Sequence, residues 1–276
     1  MIDIRLSDNL ELMTEIKDNT VDLIYCDILY GTGIKFKDFQ DLKSIRSVIE
    51  SHYIPRIKEM YRILKDTGSI YLHMDTRINH WVRCIMDDIF GYKNFRNEII
   101  WSYKRYPMIS LNSFQKMHDI ILFYGKNNKV KVIKENISRP GQQKGSKSGY
   151  LKKENGKVRY YVQIERTIDD VWNIPMLNPM AKERNGYATQ KSKLILERII
   201  KASSDEGDLV ADFYLGSGTT AVVCKELNRN FIGCDINPQA IEITRQRLQN
   251  DKRNKRINKT IEINNKQIDQ FFNFDD

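Results

Sequence analysis

Asp27 and Tyr30 close an apolar run, Val21-Asp22-Leu23-Ile24-Tyr25-Cys26, and are followed by Gly31-Thr32-Gly33. A carboxylate at a strand end can accept hydrogen bonds from a substrate, and the nearby ring can stack on a planar one. A second constellation lies in the last third of the chain. Leu209-Val210-Ala211-Asp212-Phe213-Tyr214 reads as a strand and Gly216-Ser217-Gly218 as a tight turn. Thr219 to Leu227 reads as a helix, and Phe231-Ile232-Gly233-Cys234-Asp235-Ile236 as the next strand. Glycines let the backbone approach a ligand closely at a helix N-terminus. An acid about twenty residues past the turn can accept hydrogen bonds from ribose hydroxyls. A nicotinamide or flavin cofactor would ordinarily want a third glycine where Ala221 stands, a place where that fingerprint sometimes allows alanine.

These residues need a scaffold, and the rest of the chain predicts one. Ile2 to Leu6 alternates like a short strand, and Ser7-Asp8-Asn9 caps a helix running to Ile16. Val21 to Cys26 has the continuous apolar character of a strand buried in a parallel sheet. Helices are expected over Ser51 to Leu64 and Asn79 to Phe90, with Gly68 breaking the chain before a strand at Ser69 to Met74. Further strands are expected at Asn97 to Ser102 and Asp119 to Tyr124, and helices at Leu194 to Ala202 and Gln239 to Leu248. Strands alternating with helices predict an α/β fold with a mostly parallel, twisted sheet flanked by helices.

That regularity stops between Gly125 and about Met180. Apolar periodicity is weak there, glycines recur, and only Arg159 to Ile164 reads as a strand. The window from Lys126 to Arg166 holds 12 lysines and arginines against three acids, a net +9 that equals the charge of the whole chain. A basic segment of this kind favours a polyanionic partner. The expected organisation is two halves of one domain, residues 1–124 and 186–249, around an inserted region at 125–185, with a basic polar tail at 250–276.

Other function classes are disfavoured. No apolar run reaches membrane-spanning length, and the opening residues lack a secretory leader pattern. Cys26, Cys224 and Cys234 sit in apolar contexts and read as reduced core residues of a cytoplasmic protein. No paired cysteine or histidine spacing calls for zinc, so no metal is expected.

Asp27-Ile28-Leu29-Tyr30 resembles the D-P-P-Y motif of S-adenosylmethionine-dependent DNA amino-methyltransferases. Asp212-Phe213-Tyr214-Leu215-Gly216-Ser217-Gly218-Thr219-Thr220 is similar to their D-P-F-x-G-S-G-T-T cofactor motif. Tyr187-Ala188-Thr189-Gln190-Lys191-Ser192 resembles H-P-T-Q-K-P, and Leu6 to Glu11 resembles the segment ahead of D-P-P-Y. The catalytic motif comes first, an insert second and the cofactor motif last, which is the order of the β class. The chain is identified as a member on nearly everything from Ile2 to Leu248 except the insert. It departs by lacking family prolines at Ile28, Leu29, Ala188, Ser192 and Phe213, and by carrying Tyr187 for a histidine.

The resemblance implies a Rossmann-like methyltransferase fold and a bound S-adenosylmethionine. Asp8, Asp27, Thr189, Lys191, Asp212, Tyr214, Gly216, Ser217, Gly218, Thr219 and Asp235 are the residues expected to hold the cofactor. Asp27 and the Ile28 carbonyl would accept hydrogen bonds from the two N–H groups of an exocyclic amine, and Tyr30 would stack on a flipped base. An acid at the first motif position favours N6 of adenine over N4 of cytosine in duplex DNA. The insert corresponds to the target-recognition region, where Arg139, Lys144, Lys147 and Arg159 are candidates for DNA contact, with Gln142, Gln143 and Gln163 able to read base edges. A homodimer and a cognate restriction endonuclease are the other partners the family implies. The competing readings are an N4-cytosine enzyme, an RNA base methyltransferase and a noncatalytic DNA-binding subunit.

Overall fold

The computed structural model describes residues 1–35, 40–105, 112–130, 169–178, 180–181, 183–187 and 189–249, with the backbone of four short strands between 135 and 166. Its centre is an eight-stranded sheet. In chain order the strands are Ile2–Leu6 (β1), Val21–Asp27 (β2), Leu64–Met74 (β3), Phe95–Ser102 (β4) and His118–Gly125 (β5). Glu135–Ile137 (β6), Leu151–Glu154 (β7), Lys157–Tyr160 (β8) and Ile164–Arg166 (β9) form two small antiparallel pairs outside it, β6 with β9 and β7 with β8. Val171–Asn173 (β10), Leu209–Asp212 (β11) and Asn230–Asp235 (β12) complete the main sheet. The spatial order is β1-β12-β11-β2-β3-β5-β4-β10, and only β5 runs antiparallel to its neighbours.

Helices cover both faces, as a largely parallel sheet requires. Asn9–Glu15 (α1), Arg46–Ile63 (α2) and Asn79–Met86 (α3) pack on one face. Lys193–Ser203 (α4), Thr219–Glu226 (α5) and residues 238–249 (α6) pack on the other. The division follows the strand period of two. Ile24, Cys26, Ile70, Leu72 and Leu122 point into the first core, with Leu12, Tyr53, Ile57, Met60 and Val82. Leu23, Tyr25, Tyr71, Ile121 and Phe123 point into the second, with Ile195, Ile199, Val223 and Cys224. Cys26, Cys224 and Cys234 are buried free thiols, as expected, whereas Cys84 is exposed. Among the described residues no helix is long and apolar enough to cross a membrane.

Several boundaries differ from the sequence reading. The Asp8 side chain accepts from the Leu10 N–H at 2.8 Å, so α1 is capped where expected. Helix α2 begins five residues before Ser51, at Arg46, without a side-chain cap, and carries Pro55 inside it. Gly68 does not break the chain. It lies within β3, next to the register shift between Val21 and Leu23 of the paired strand. Helix α3 gives way to a widened π turn at Asp87–Gly91 instead of running through Phe90 as α-helix. The strand expected over Arg159 to Ile164 falls on β8 and β9, which pair with different partners. The end of the basic insert joins the body: β10 pairs with β4 at the sheet edge, and Trp172 and Ile174 are buried. The tail at 250–276 lies outside the described residues.

Candidate active site

The chain crosses from β11 through α5 to β12 on one side, and from β2 through α2 to β3 on the other. β11 and β2 are neighbours, so a crevice opens at their carboxyl ends, where ligands bind in doubly wound sheets. A cavity of about 320 Å³ lies there. Of the residues expected to hold a cofactor, Asp8, Asp27, Thr189, Lys191, Asp212, Tyr214, Gly216, Ser217, Thr219 and Asp235 all line it. They come from five separate stretches of the chain, each ending at the same edge of the sheet.

The glycine turn forms one wall. Gly216 and Gly218 have φ of +51° and +73°, which favour glycine. The Gly216 N–H donates to the Asp235 carboxylate at 2.8 Å, and the Leu215 N–H to the Cys234 carbonyl at 3.1 Å, so the turn is tied to the end of β12. Gly218 is not in the cavity lining. It caps α5, and a Cβ there would lie 2.3 Å from the Thr244 side chain of α6. Asp212, at the end of β11, accepts from Thr220 Oγ1 at 2.6 Å and from the Tyr214 N–H at 3.0 Å. Burial pushes its carboxyl up to about 7 despite those hydrogen bonds. Burial also raises Asp235, against the N–H groups that oppose it.

The opposite wall holds residues that sequence reasoning missed. His52 and Arg56 stand one turn apart on α2, on a face that looks into the crevice. Arg56 donates to Asn9 Oδ1 at 2.7 Å and to Asp8 Oδ2 at 3.1 Å, fixing the Asp8 carboxylate. His52 Nε2 lies 3.1 Å from the Tyr214 hydroxyl. Burial, with the Arg56 charge beside it, lowers His52 to about 4, so the ring is neutral at pH 7. Helix α2 carries Arg46, Glu50, Lys58, Glu59 and Arg62 as well, so nothing in the sequence singles out His52 and Arg56.

Asp27 sits where β2 ends. Its Oδ1 accepts from the Tyr30 hydroxyl at 2.9 Å, and its Oδ2 pairs with Lys191 Nζ at 2.6 Å. The Lys191 ammonium also lies 5.0 Å from the Tyr30 ring centroid. The chain around the two motif residues is pinned by its backbone. Ile28 N–H donates to the His73 carbonyl at 3.0 Å, and the Tyr53 hydroxyl donates to the Leu29 carbonyl at 2.9 Å. The Ile28 side chain is buried in the first core, away from the cavity. Asp41 then organises the following loop by accepting from the N–H groups of Gly31, Thr32 and Leu42.

Behind Asp27 the strands β2, β3, β5 and β4 carry polar side chains at their ends on one face. Asp27 is in register with His73, and Asp119 with Trp101. Asp119 accepts from the Tyr103 hydroxyl at 2.8 Å and lies 3.3 Å from the Tyr30 hydroxyl. His73, fully buried, has Nδ1 2.9 Å from the Tyr25 hydroxyl. Its Nε2 is 3.4 Å from Asp119 Oδ2. Burial acts to raise Asp119, yet His73, Lys191 and the Tyr103 hydroxyl outweigh it and hold the carboxyl near 2. Burial and the two flanking carboxylates push the Tyr30 phenol well up, so it keeps its proton. Arg139, Lys144 and Lys147 lie outside the described residues. Arg159 is on β8, of which only the backbone is described.

Comparison with known proteins identifies the family. A family model described as DNA methylase, covering N6 and N4 enzymes, matches residues 21–246. The type II methyltransferase M.HpaI of Haemophilus parainfluenzae is 29% identical over 249 residues, 89% of this chain and 73% of the relative. The DNA adenine methyltransferase YhdJ of Escherichia coli (strain K12) is 29% identical over 245 residues, 87% of this chain and 80% of the relative. Among solved structures, the cytosine-N4-specific PvuII DNA methyltransferase superposes with a TM-score of 0.65 at 14% identity, covering 89% of this chain and 86% of its own. The M1.HpyAVI–SAM complex gives 0.57 at 19%, covering 90% and 100%. With a matching family model over most of its length and that family's fold, the chain belongs to the N6/N4 family of DNA methylases.

Proposed function

We propose that the protein methylates N6 of adenine in duplex DNA, with S-adenosylmethionine as methyl donor. The observation that carries this is that Asp27, presented with Tyr30, opens into the same crevice as the glycine turn and Asp235. The crevice fits the donor. Asp235 and Asp8 offer carboxylates for hydroxyl and amine groups, the positive-φ glycines expose backbone, and the Tyr214 ring offers an apolar face. Thr189, Lys191, Asp212, Ser217 and Thr219 complete the set of contacts, and Gly218 shapes the turn. When bound, the donor supplies a methyl group on a sulfonium centre.

An exocyclic amine is a poor nucleophile because its lone pair is delocalised into the base. Asp27 accepts a hydrogen bond from one amine N–H and the Ile28 carbonyl from the other, which favours a tetrahedral nitrogen and frees the lone pair; the one proton lost on methylation leaves through Asp27. Orientation in the crevice contributes further, since positioning of reactants alone can supply several kcal/mol. The Tyr30 ring stacks on a base extruded from the duplex.

The basic insert, with Arg139, Lys144, Lys147 and Arg159, contacts the DNA. Its contacts to phosphate make binding salt-dependent. An acid at position 27 and the likeness to an adenine enzyme support adenine over cytosine. Nucleoside analysis of duplex DNA treated with the purified protein and the donor tests this. N6-methyladenine is expected, and its loss with Asp27→Ala. N4-methylcytosine without N6-methyladenine overturns the choice of base, and methylation confined to RNA overturns the substrate.

A further inference from the structure

Tyr30 has one phenolic hydrogen and two carboxylates within reach, Asp27 Oδ1 at 2.9 Å and Asp119 Oδ2 at 3.3 Å. Asp27 is already committed on its other oxygen, to Lys191 at 2.6 Å. An incoming amine therefore competes with the Tyr30 hydroxyl for Oδ1, and an oxygen that accepts a phenol hydrogen is a weaker acceptor for a second donor.

We propose that Asp119 is a positioning residue for methyl transfer: it takes over the Tyr30 hydroxyl when the target amine binds Asp27, leaving Asp27 Oδ1 free and the Tyr30 ring anchored. The inference rests on the assignment of Asp27 and Tyr30 made above.

The surroundings of Asp119 suit that task. It is 5% exposed and reaches the site by way of the Tyr30 hydroxyl, so it acts through Tyr30 and not on the substrate. Its Oδ1 is held by the Tyr103 hydroxyl at 2.8 Å, which leaves Oδ2 turned toward Tyr30. His73 Nε2 lies 3.4 Å behind Oδ2 and favours the carboxylate form. The handover needs the phenolic hydrogen to rotate between two acceptors that already flank it, with the ring remaining in place.

The test is a double-mutant cycle read by single-turnover methylation with saturating donor. Asp119→Asn and Tyr30→Phe are each expected to slow the step about tenfold, the scale of a lost hydrogen bond to a charged group. The double variant is expected to be no slower than Tyr30→Phe alone, and donor affinity is expected to be unchanged throughout. Tyr103→Phe gives a second arm that leaves the carboxylate in place. It should slow the step a few-fold, and have no effect in the Tyr30→Phe background. Multiplying losses, roughly a hundredfold in the double variant, overturn the inference, as does a full effect of Asp119→Asn without tyrosine hydroxyl at position 30. Asp27→Ala measured alongside separates the two levels. Its inactivity together with multiplying losses overturns the role of Asp119 alone, and its retained activity overturns the site assignment and this inference with it.

Discussion

The Ile28 N–H donates to the His73 carbonyl at 3.0 Å, extending the β2–β3 ladder one step past Asp27. Proline in this place, as the family motif has it, could make no such bond. The chain has therefore exchanged one restraint for another. A compatible proline would add about 0.4–1 kcal/mol through the unfolded state. The hydrogen bond contributes about 0.5–1.5 kcal/mol, and the buried isoleucine side chain adds packing of similar size. Ile28→Pro is expected to lower stability by about 1–2 kcal/mol in denaturant unfolding, although it restores the family residue. An equal or higher stability would show that the N–H bond is dispensable.

The parts of the site that lie close together in sequence were legible. Asp27 and Tyr30 share one loop, and the glycine turn and Asp235 belong to one βαβ unit. The alternation of strands and helices around them followed from apolar runs and helical periods, whereas the spatial order of the strands did not. The Asp119, Tyr103 and His73 cluster was not legible, because it depends on register. His73 meets Asp27 across a parallel pair, and Asp119 arrives on an antiparallel strand about 46 residues further on. Helix α2 begins early because its first turn is held by packing of Ile49 and not by a capping side chain. Gly68 signalled a break but lies at a register shift, a place where a strand tolerates glycine.

Two glycines with positive φ separate backbone strain from steric collision. Gly207 has φ of +85° and open space around it, whereas Gly218, at +73°, faces Thr244 at 2.3 Å. Gly207→Ala is expected to cost about 1 kcal/mol from the left-handed backbone alone. Gly218→Ala should cost about 1–3 kcal/mol more, because α6 must move off the turn. It should also weaken binding of the methyl donor, which Gly207→Ala should not. Equal losses in thermal and chemical unfolding would remove the collision as a cause.

Arg247 reaches from α6 to the glycine turn. It donates to the Ser217 carbonyl, and its Nη1 lies 3.3 Å from Ser217 Oγ and 3.1 Å from Thr219 Oγ1. Ser217 and Thr219 line the crevice and Arg247 does not. Arg247→Met keeps most of the side-chain stem while removing the donors. Affinity for the methyl donor is expected to fall about three- to tenfold by calorimetry, on the order of 1 kcal/mol, because only part of what the guanidinium contributes to the turn is felt by the ligand. The rate at saturating donor should be preserved. An unchanged affinity would mean that the turn holds its shape without α6.

Asp212 gives the ligand-free protein a pH dependence that can be isolated. Burial pushes its carboxyl up to about 7 from an ordinary 3.8, against the hydrogen bonds from Thr220 and the Tyr214 N–H. Between those values the folded protein keeps a proton that the unfolded chain has released. The contribution of this group to stability therefore declines as pH rises from about 4 to about 7, and is level above that window. Asp212→Asn cannot titrate and lacks this decline. All other groups titrate in both proteins and cancel in the difference. Melting temperatures of the two ligand-free proteins at pH 5 and pH 8 should show wild type better placed against the variant at pH 5 than at pH 8. A gap that stays constant between the two would place the Asp212 carboxyl outside this window, and with it the claim that burial outweighs the two hydrogen bonds it accepts.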